Sequence, residues 1–239
     1  MCDHFSPLAE KAFLSPSSYE QDIIRLGDLF HHQATYIRLL GGEPLLHPQV
    51  IQFFSMTREQ FPYSSLELYT NGLLLLSQSA DFWDACQTFS VTVTVTKYPV
   101  AFDYRAAEEI AQRHHVKLVY TSEHGEPIKT SWRLPLDVTG GQDPSRCFER
   151  CDMGNVCVFL KAGRLYPCTV APNVFHFNQY FHQDLLLSDK DGINIYTAKA
   201  EDILRFLASP IPFCRYCDID NRQENIPWKV SERSICEWT

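Results

Sequence analysis

The chain has 239 residues, 45% of them hydrophobic, which is enough for one large core or for one medium and one small core. Its net charge of −8 and pI near 5.6, with no Lys/Arg block, lack the basic footprint of non-specific nucleic-acid binding. The opening MCDHFSPLAEKAF has neither a basic nor an apolar targeting region, and the longest aliphatic run, Leu73 to Leu76, is far too short to span a bilayer. The expectation is a soluble, cytoplasmic protein with no nucleic-acid or membrane partner.

From Ser17 to about Tyr120, segments of helical period alternate with short β-branched or aliphatic runs. Ser17 followed by Glu20 reads as a capping box, and Tyr19, Ile23, Leu26 and Phe30 recur at helical spacing. TYIRLL follows as a strand, HPQVIQFFSMTREQ as a helix, and SLELYTNG as a strand closed by Asn-Gly. The pattern repeats with SADFWDACQTF as helix, SVTVTVT as strand, DYRAAEEIAQRHH as helix from Asp103, and VKLVYT as strand. This βα succession predicts a parallel sheet with helical crossovers.

One face of three strands is polar: Arg38 on one, Glu67 and Tyr69 on the next, Thr92, Thr94 and Thr96 on the third. A parallel sheet covered on both faces would be apolar on both. Either that face is open to water, or the sheet is part of a barrel whose polar lumen holds a ligand. After Thr121 the texture turns Gly-, Pro- and polar-rich, as in a linker or an irregular last strand. CVFLKAGRLYPC then reads as a hairpin turning at Ala162-Gly163, and AEDILRFLAS as a short helix leading to PFCRYCD.

Of nine cysteines, only Cys2 and Cys86 precede residue 147; Cys147, Cys151, Cys157, Cys168, Cys214, Cys217 and Cys236 crowd the last third. The odd total and the lack of an export signal favour metal or cluster ligation over a disulfide framework. Thiolates at hairpin ends and in a CxxC suit zinc or an iron–sulfur cluster, and spacing does not separate the two. Cys86 reads as core. His31-His32 and His114-His115 read as helix-end residues, and FHFNQYFH as packing.

LLGGEPLLHP follows a strand directly. Gly-Gly-Glu-Pro taken alone is a tight turn or a ligand loop; its place at the carboxyl end of a parallel strand favours the ligand loop. With these residues the chain resembles the radical S-adenosylmethionine (radical SAM) enzymes. The resemblance implies a partial (βα)6 barrel in which a CxxxCxxC loop holds a 4Fe-4S cluster and a GGEP motif meets the amino group of S-adenosylmethionine. CDHFSPLA looks like the tail of that loop, with Cys2 as its third cysteine, and Gly41, Gly42, Glu43 and Pro44 match GGEP. Thr70 and Asn71 of LYTNG would border the cofactor, with Thr94, Thr96 and Lys97 at the next strand end. The first two cysteines of the loop, and the strand before them, are absent from this sequence. The layout of residues 147–239 resembles the SPASM or twitch extensions of that family, which carry auxiliary 4Fe-4S clusters. The implied ligands are drawn from Cys151, Cys157, Cys168, Cys214 and Cys217, with Cys147 and Cys236 behind them.

The expected architecture is therefore α/β: residues 1–122 a partial (βα)6 barrel lacking its first strand, 123–146 a linker or irregular last strand, and 147–239 a small cysteine-rich α+β domain. The function the resemblance implies is radical SAM chemistry, carried out by a form with the complete loop. There a reduced cluster cleaves S-adenosylmethionine to a 5′-deoxyadenosyl radical that modifies a peptide or small-molecule substrate, with an electron donor as partner. The expected cofactors are one auxiliary 4Fe-4S cluster, S-adenosylmethionine, and the radical SAM cluster only in that complete form. Because two of three cluster cysteines are missing, a non-catalytic iron–sulfur or zinc-binding scaffold is the alternative.

Overall fold

The structure is a computed structural model that describes residues 2–121 and 130–239. The described residues fall into two compact units, one of residues 13–121 and one of residues 2–12 with 130–239. Residues 2–12 thus group with the later part of the chain, not with the βα segment they precede. Residues 123–129 of the expected linker lie outside the described residues; 130–133 form a strand and 144–149 a helix.

The βα unit runs α1 (Pro16–Leu29), β1 (Tyr36–Leu39), α2 (Val50–Gln60), β2 (Ser65–Thr70), α3 (Ala80–Thr88), β3 (Val91–Val95), α4 (Tyr104–Arg113) and β4 (Leu118–Tyr120). Its four strands form a parallel sheet in the order β1-β2-β3-β4, with Leu39 opposite Leu68 and Leu68 opposite Val93. A four-stranded parallel sheet with helical crossovers is consistent with a partial α/β barrel. Its aliphatic face carries Leu66, Leu68, Val91, Val93 and Val95, all essentially buried against Phe54, Phe82, Trp83, Ala107 and Ala111. Each such side chain stabilises the unit by about 1.5–3 kcal/mol on full burial. Cys86 belongs to the same core.

Local chemistry sets the helix starts. Ser79 and Asp103 cap α3 and α4 by accepting from the N–H of Phe82 and Ala106. The Ser17/Glu20 box expected for α1 is not formed. Pro16 occupies the first turn and fixes a helical φ there, so Ser15 becomes the N-cap and the helix begins two residues earlier, and Ser17 Oγ meets Ser15 Oγ at 2.8 Å. At the amino ends of β2 and β3, Arg58 donates to the carbonyls of Phe61, Pro62, Ser64, Phe89 and Ser90 at 2.9–3.3 Å. One guanidinium thereby ties two loops together.

The second unit contains β5 (Thr130–Arg133), α5 (Pro144–Glu149), β6 (Phe159–Lys161), β7 (Arg164–Tyr166), α6 (Val174–Phe181), β8 (Ile193–Asn194), α7 (Ala200–Leu207) and β9 (Gln223–Pro227). β5 pairs antiparallel with β9, and β6-β7-β8 form a small antiparallel sheet. The β6–β7 turn has φ 48° at Ala162 and 71° at Gly163, the two left-handed residues of a type I′ hairpin. The core gathers Phe5, Val170, Val174, Phe177, Ile211, Phe213 and Trp238. Asp191, fully buried, accepts from Ser188 N–H, Ser188 Oγ and Phe213 N–H at 2.6–2.7 Å, and so holds the segment that leads into Cys214.

Candidate functional sites

The loops leaving β1 and β2 stand side by side at the carboxyl ends of paired parallel strands, where α/β folds bind ligands. Glu43 joins them. Its Oε1 accepts from Leu45 N–H at 3.0 Å and Thr70 Oγ1 at 2.7 Å, and its Oε2 from Asn71 N–H at 3.0 Å. The motif carboxylate is therefore spent on backbone and hydroxyl donors, and what the loop presents outward is the exposed backbone of Gly41 and Gly42. A Cβ built at Gly41 would meet nothing within 4 Å, so space for a ligand adjoins that backbone. Pro44 begins the short 3₁₀ turn Pro44–Leu46 that seats buried Leu45.

Across the gap, Thr70 Oγ1 accepts from Gly72 N–H at 3.0 Å and Asn71 Oδ1 from Leu73 N–H at 2.8 Å. Gly72 has φ 79°, and a Cβ there would lie 2.8 Å from Val95 Cγ1, so the expected Asn-Gly turn depends on glycine. Thr96 N–H donates to Thr70 O at 2.9 Å, carrying the edge on to the end of β3, and Lys97 Nζ lies 3.8 Å from the Tyr120 ring centroid. On the polar face of the sheet, Arg38 Nε donates to Glu67 Oε2 at 3.1 Å and its guanidinium stacks on Tyr36 and Tyr69.

The second candidate site lies within the other unit. Cys147, Cys151, Cys168, Cys214 and Cys217 line one cavity, together with Leu134, Phe148, Met153, Val170, Ile211 and Phe213. None of the five is in a disulfide. Four different segments deliver them: α5 brings Cys147, the turn after it Cys151, the stretch after β7 Cys168, and the 3₁₀ turn Pro212–Tyr216 with its C-cap residue the CxxC pair. Burial pushes Cys168 up to about 12, with the nearby Cys214 and Cys151 adding to the rise and the backbone at Ala171 and Val170 opposing it. Burial likewise lifts Cys214 to about 11 and Cys217 well above the ordinary thiol value. Bare thiolates packed together in a dry cavity repel each other, and a bound cation removes that penalty.

This donor set, thiols only on an apolar lining, fits a soft metal centre held by cysteine. Among the described residues, no three His, Cys, Asp or Glu side chains are gathered around the position of a single ion. Cys147 stands apart in its hydrogen bonding: its Sγ donates to Cys217 O at 3.1 Å; burial raises its pKa as it does those of Cys168, Cys214 and Cys217. The family resemblance places it behind Cys157, which opens the hairpin. In the structure Cys157 packs against the same core but does not line the cavity. Cys236 is exposed. Cys2 sits in a turn of this same unit, partly buried, with Sγ 3.5 Å from Ser6 Oγ. The histidine pairs lie at helix ends as expected: His32 Nδ1 is 2.8 Å from Gln60 O and His114 Nδ1 2.9 Å from Asp84 Oδ1.

A parallel βα sheet in one unit and a thiol-lined cavity in the other define an α/β protein. No family model and no curated protein matches the sequence. Among solved structures, the chain is similar to BtrN, a radical SAM enzyme whose crystal structure is in complex with AdoMet and 2-DOIA. The two share 18% sequence identity over 87% of this chain and 82% of that one, with a TM-score of 0.51. That likeness is one of fold. No helix among the described residues is long and apolar enough to cross a membrane.

Proposed function

We propose that this chain is a radical SAM-type protein whose second unit is a SPASM- or twitch-like domain holding an auxiliary 4Fe-4S cluster on Cys151, Cys168, Cys214 and Cys217. The observation that carries the reading is the convergence of thiols from four segments on one apolar cavity. Cys147 is set beside the ligands because its thiol is already engaged with the Cys217 carbonyl. Cys2 would be the third thiolate of a radical SAM cluster in a form carrying the whole CxxxCxxC loop. When bound, such a cluster supplies the electron that splits S-adenosylmethionine into methionine and a 5′-deoxyadenosyl radical.

The residues of this chain position and enclose. The backbone at Gly41–Glu43 receives the amino group of S-adenosylmethionine, and the Glu43 carboxylate keeps that backbone in register with Thr70 and Asn71. The polar sheet face of Arg38, Glu67, Tyr69 and Thr94 is the lumen wall toward a peptide or small-molecule substrate, and an electron donor completes the cycle. BtrN, of the same fold, was solved with AdoMet bound, which supports this use of the GGEP edge.

Anaerobic reconstitution with iron and sulfide tests the reading. About one 4Fe-4S cluster per chain is expected. Cys214→Ala with Cys217→Ala should abolish it, and Cys2→Ala should leave it intact. Stoichiometric zinc without iron would overturn the cluster assignment.

A further inference from the structure

Cys2 lies in a tight turn: Phe5 N–H donates to Cys2 O at 3.0 Å, Phe5 has φ 54°, and residues Ser6–Leu8 form a 3₁₀ turn. Two hydrogen-bonded arms link this turn to residues of the thiol cavity. The first leaves from Cys168. The next residue, Thr169, is 7% exposed, and its hydroxyl donates to Asp3 Oδ2 at 2.6 Å. Its own backbone is fixed in turn, since Thr169 O accepts from Asn173 Nδ2 at 2.8 Å.

The second arm leaves from Cys217, which pairs with Leu136 in an isolated antiparallel bridge. Leu136 N–H donates to Trp238 O at 2.6 Å, and Trp238 Nε1–H donates to Cys2 O at 3.1 Å. Trp238 is fully buried, and Phe5 is packed between its ring and that of Phe177 at centroid distances of 6.2 and 5.8 Å. Each arm thus begins at or beside a cavity cysteine and ends at Cys2 or its neighbour. A hydrogen bond to a carboxylate from a buried hydroxyl is among the stronger ones a protein makes, and Cys2 O gains a second donor that a turn alone does not supply.

We propose that Thr169 and Trp238 are positioning residues that make the placement of Cys2 depend on the walls of the thiol cavity. This rests on the reading of Cys2 and the cavity cysteines as ligands of two separate clusters. The two arms then register one cluster loop against the other, so that a disturbed auxiliary site also displaces the radical SAM loop.

The test is alkylation of Cys2 by iodoacetamide in the reduced, metal-free full chain, followed by peptide mapping. Thr169→Val, which keeps the shape and removes the hydroxyl, should speed labelling of Cys2 at least threefold. Thr169→Ser, which keeps the donor, should hold the parent rate. Trp238→Phe should also speed labelling, and combining it with Thr169→Val should do so further. Cys147, buried in the same unit as Cys2, reports unfolding in the same digest and should stay unlabelled. Equal Cys2 rates for Thr169→Val and Thr169→Ser would overturn the proposal, even if Trp238→Phe fails to fold. Iron content of the reconstituted parent and of Cys214→Ala/Cys217→Ala separates the two readings. Iron that persists in that variant defeats the ligand assignment, whereas an unchanged Cys2 rate defeats the clamp.

Discussion

Replacing Glu43 by alanine removes one half-buried carboxylate and leaves three donors without their acceptor: the N–H groups of Leu45 and Asn71 and the Thr70 hydroxyl. A hydrogen bond to a charged group contributes about 1.5–3 kcal/mol net. The three share one side chain, and water can reach part of the site, so they do not add in full; a loss of about 2–4 kcal/mol follows. For a urea slope of about 2 kcal/mol/M, the midpoint of the βα unit should fall by roughly 1–2 M. Glu43→Gln keeps the oxygen that serves Leu45 and Thr70 but turns an NH₂ toward Asn71 N–H. It should lose about half as much. Urea unfolding followed by hydrogen exchange of peptides spanning residues 65–73 reads both the size and the place of the effect, because exchange there should accelerate before the rest of the sheet opens. A Glu43→Ala chain with the parent midpoint and parent exchange at 70–73 would show that the carboxylate is not the tie between the two loops.

Arg58→Met keeps the aliphatic stem but strips donors from five carbonyls at the far ends of β2 and β3, so it should destabilise the βα unit by about 2–4 kcal/mol, measured by the same urea titration. Gly41→Val adds bulk where the protein has none within 4 Å. It should leave the melting temperature unchanged while weakening S-adenosylmethionine binding, in a form with the complete cluster loop, by tenfold or more, about 1.4 kcal/mol; unchanged affinity by calorimetry would remove the ligand from that loop.

Much of the βα unit is legible because its signals are local. Val91, Val93 and Val95 alternate with threonines and are buried where alternation puts them, and Asp103 and Ser79 cap the helices they precede. The Ser17 box misleads because two local signals compete and Pro16 acts one residue sooner. At the GGEP edge the residue types are visible in the sequence, but the use of Glu43 is not, since its partners Thr70 and Asn71 are supplied by the next strand. The thiol cavity shows the limit most clearly. Cys157 looks ligand-like from its hairpin, whereas Cys147 reaches the cavity only because α5 folds over the CxxC turn, a contact across 70 residues. The same holds for the grouping of residues 2–12 with 130–239, which no local pattern announces.

The two hydrogen-bonded arms at Cys2 also fix an order of events during synthesis. Residues 13–121 are contiguous, and every strand of their sheet pairs with its sequence neighbour, so that unit can close while the chain is still emerging. Phe5 and Leu8 are made before that sheet and buried after it: Cys2 waits for Trp238, 236 residues later. At about 5–20 residues per second, that leaves two core side chains bare for roughly 10–50 s, a window in which the nascent segment is a natural client for whatever shields apolar peptides near the ribosome. Anything that halts translation between residues 121 and 168 would then release a chain with a finished sheet and an unclaimed cysteine turn.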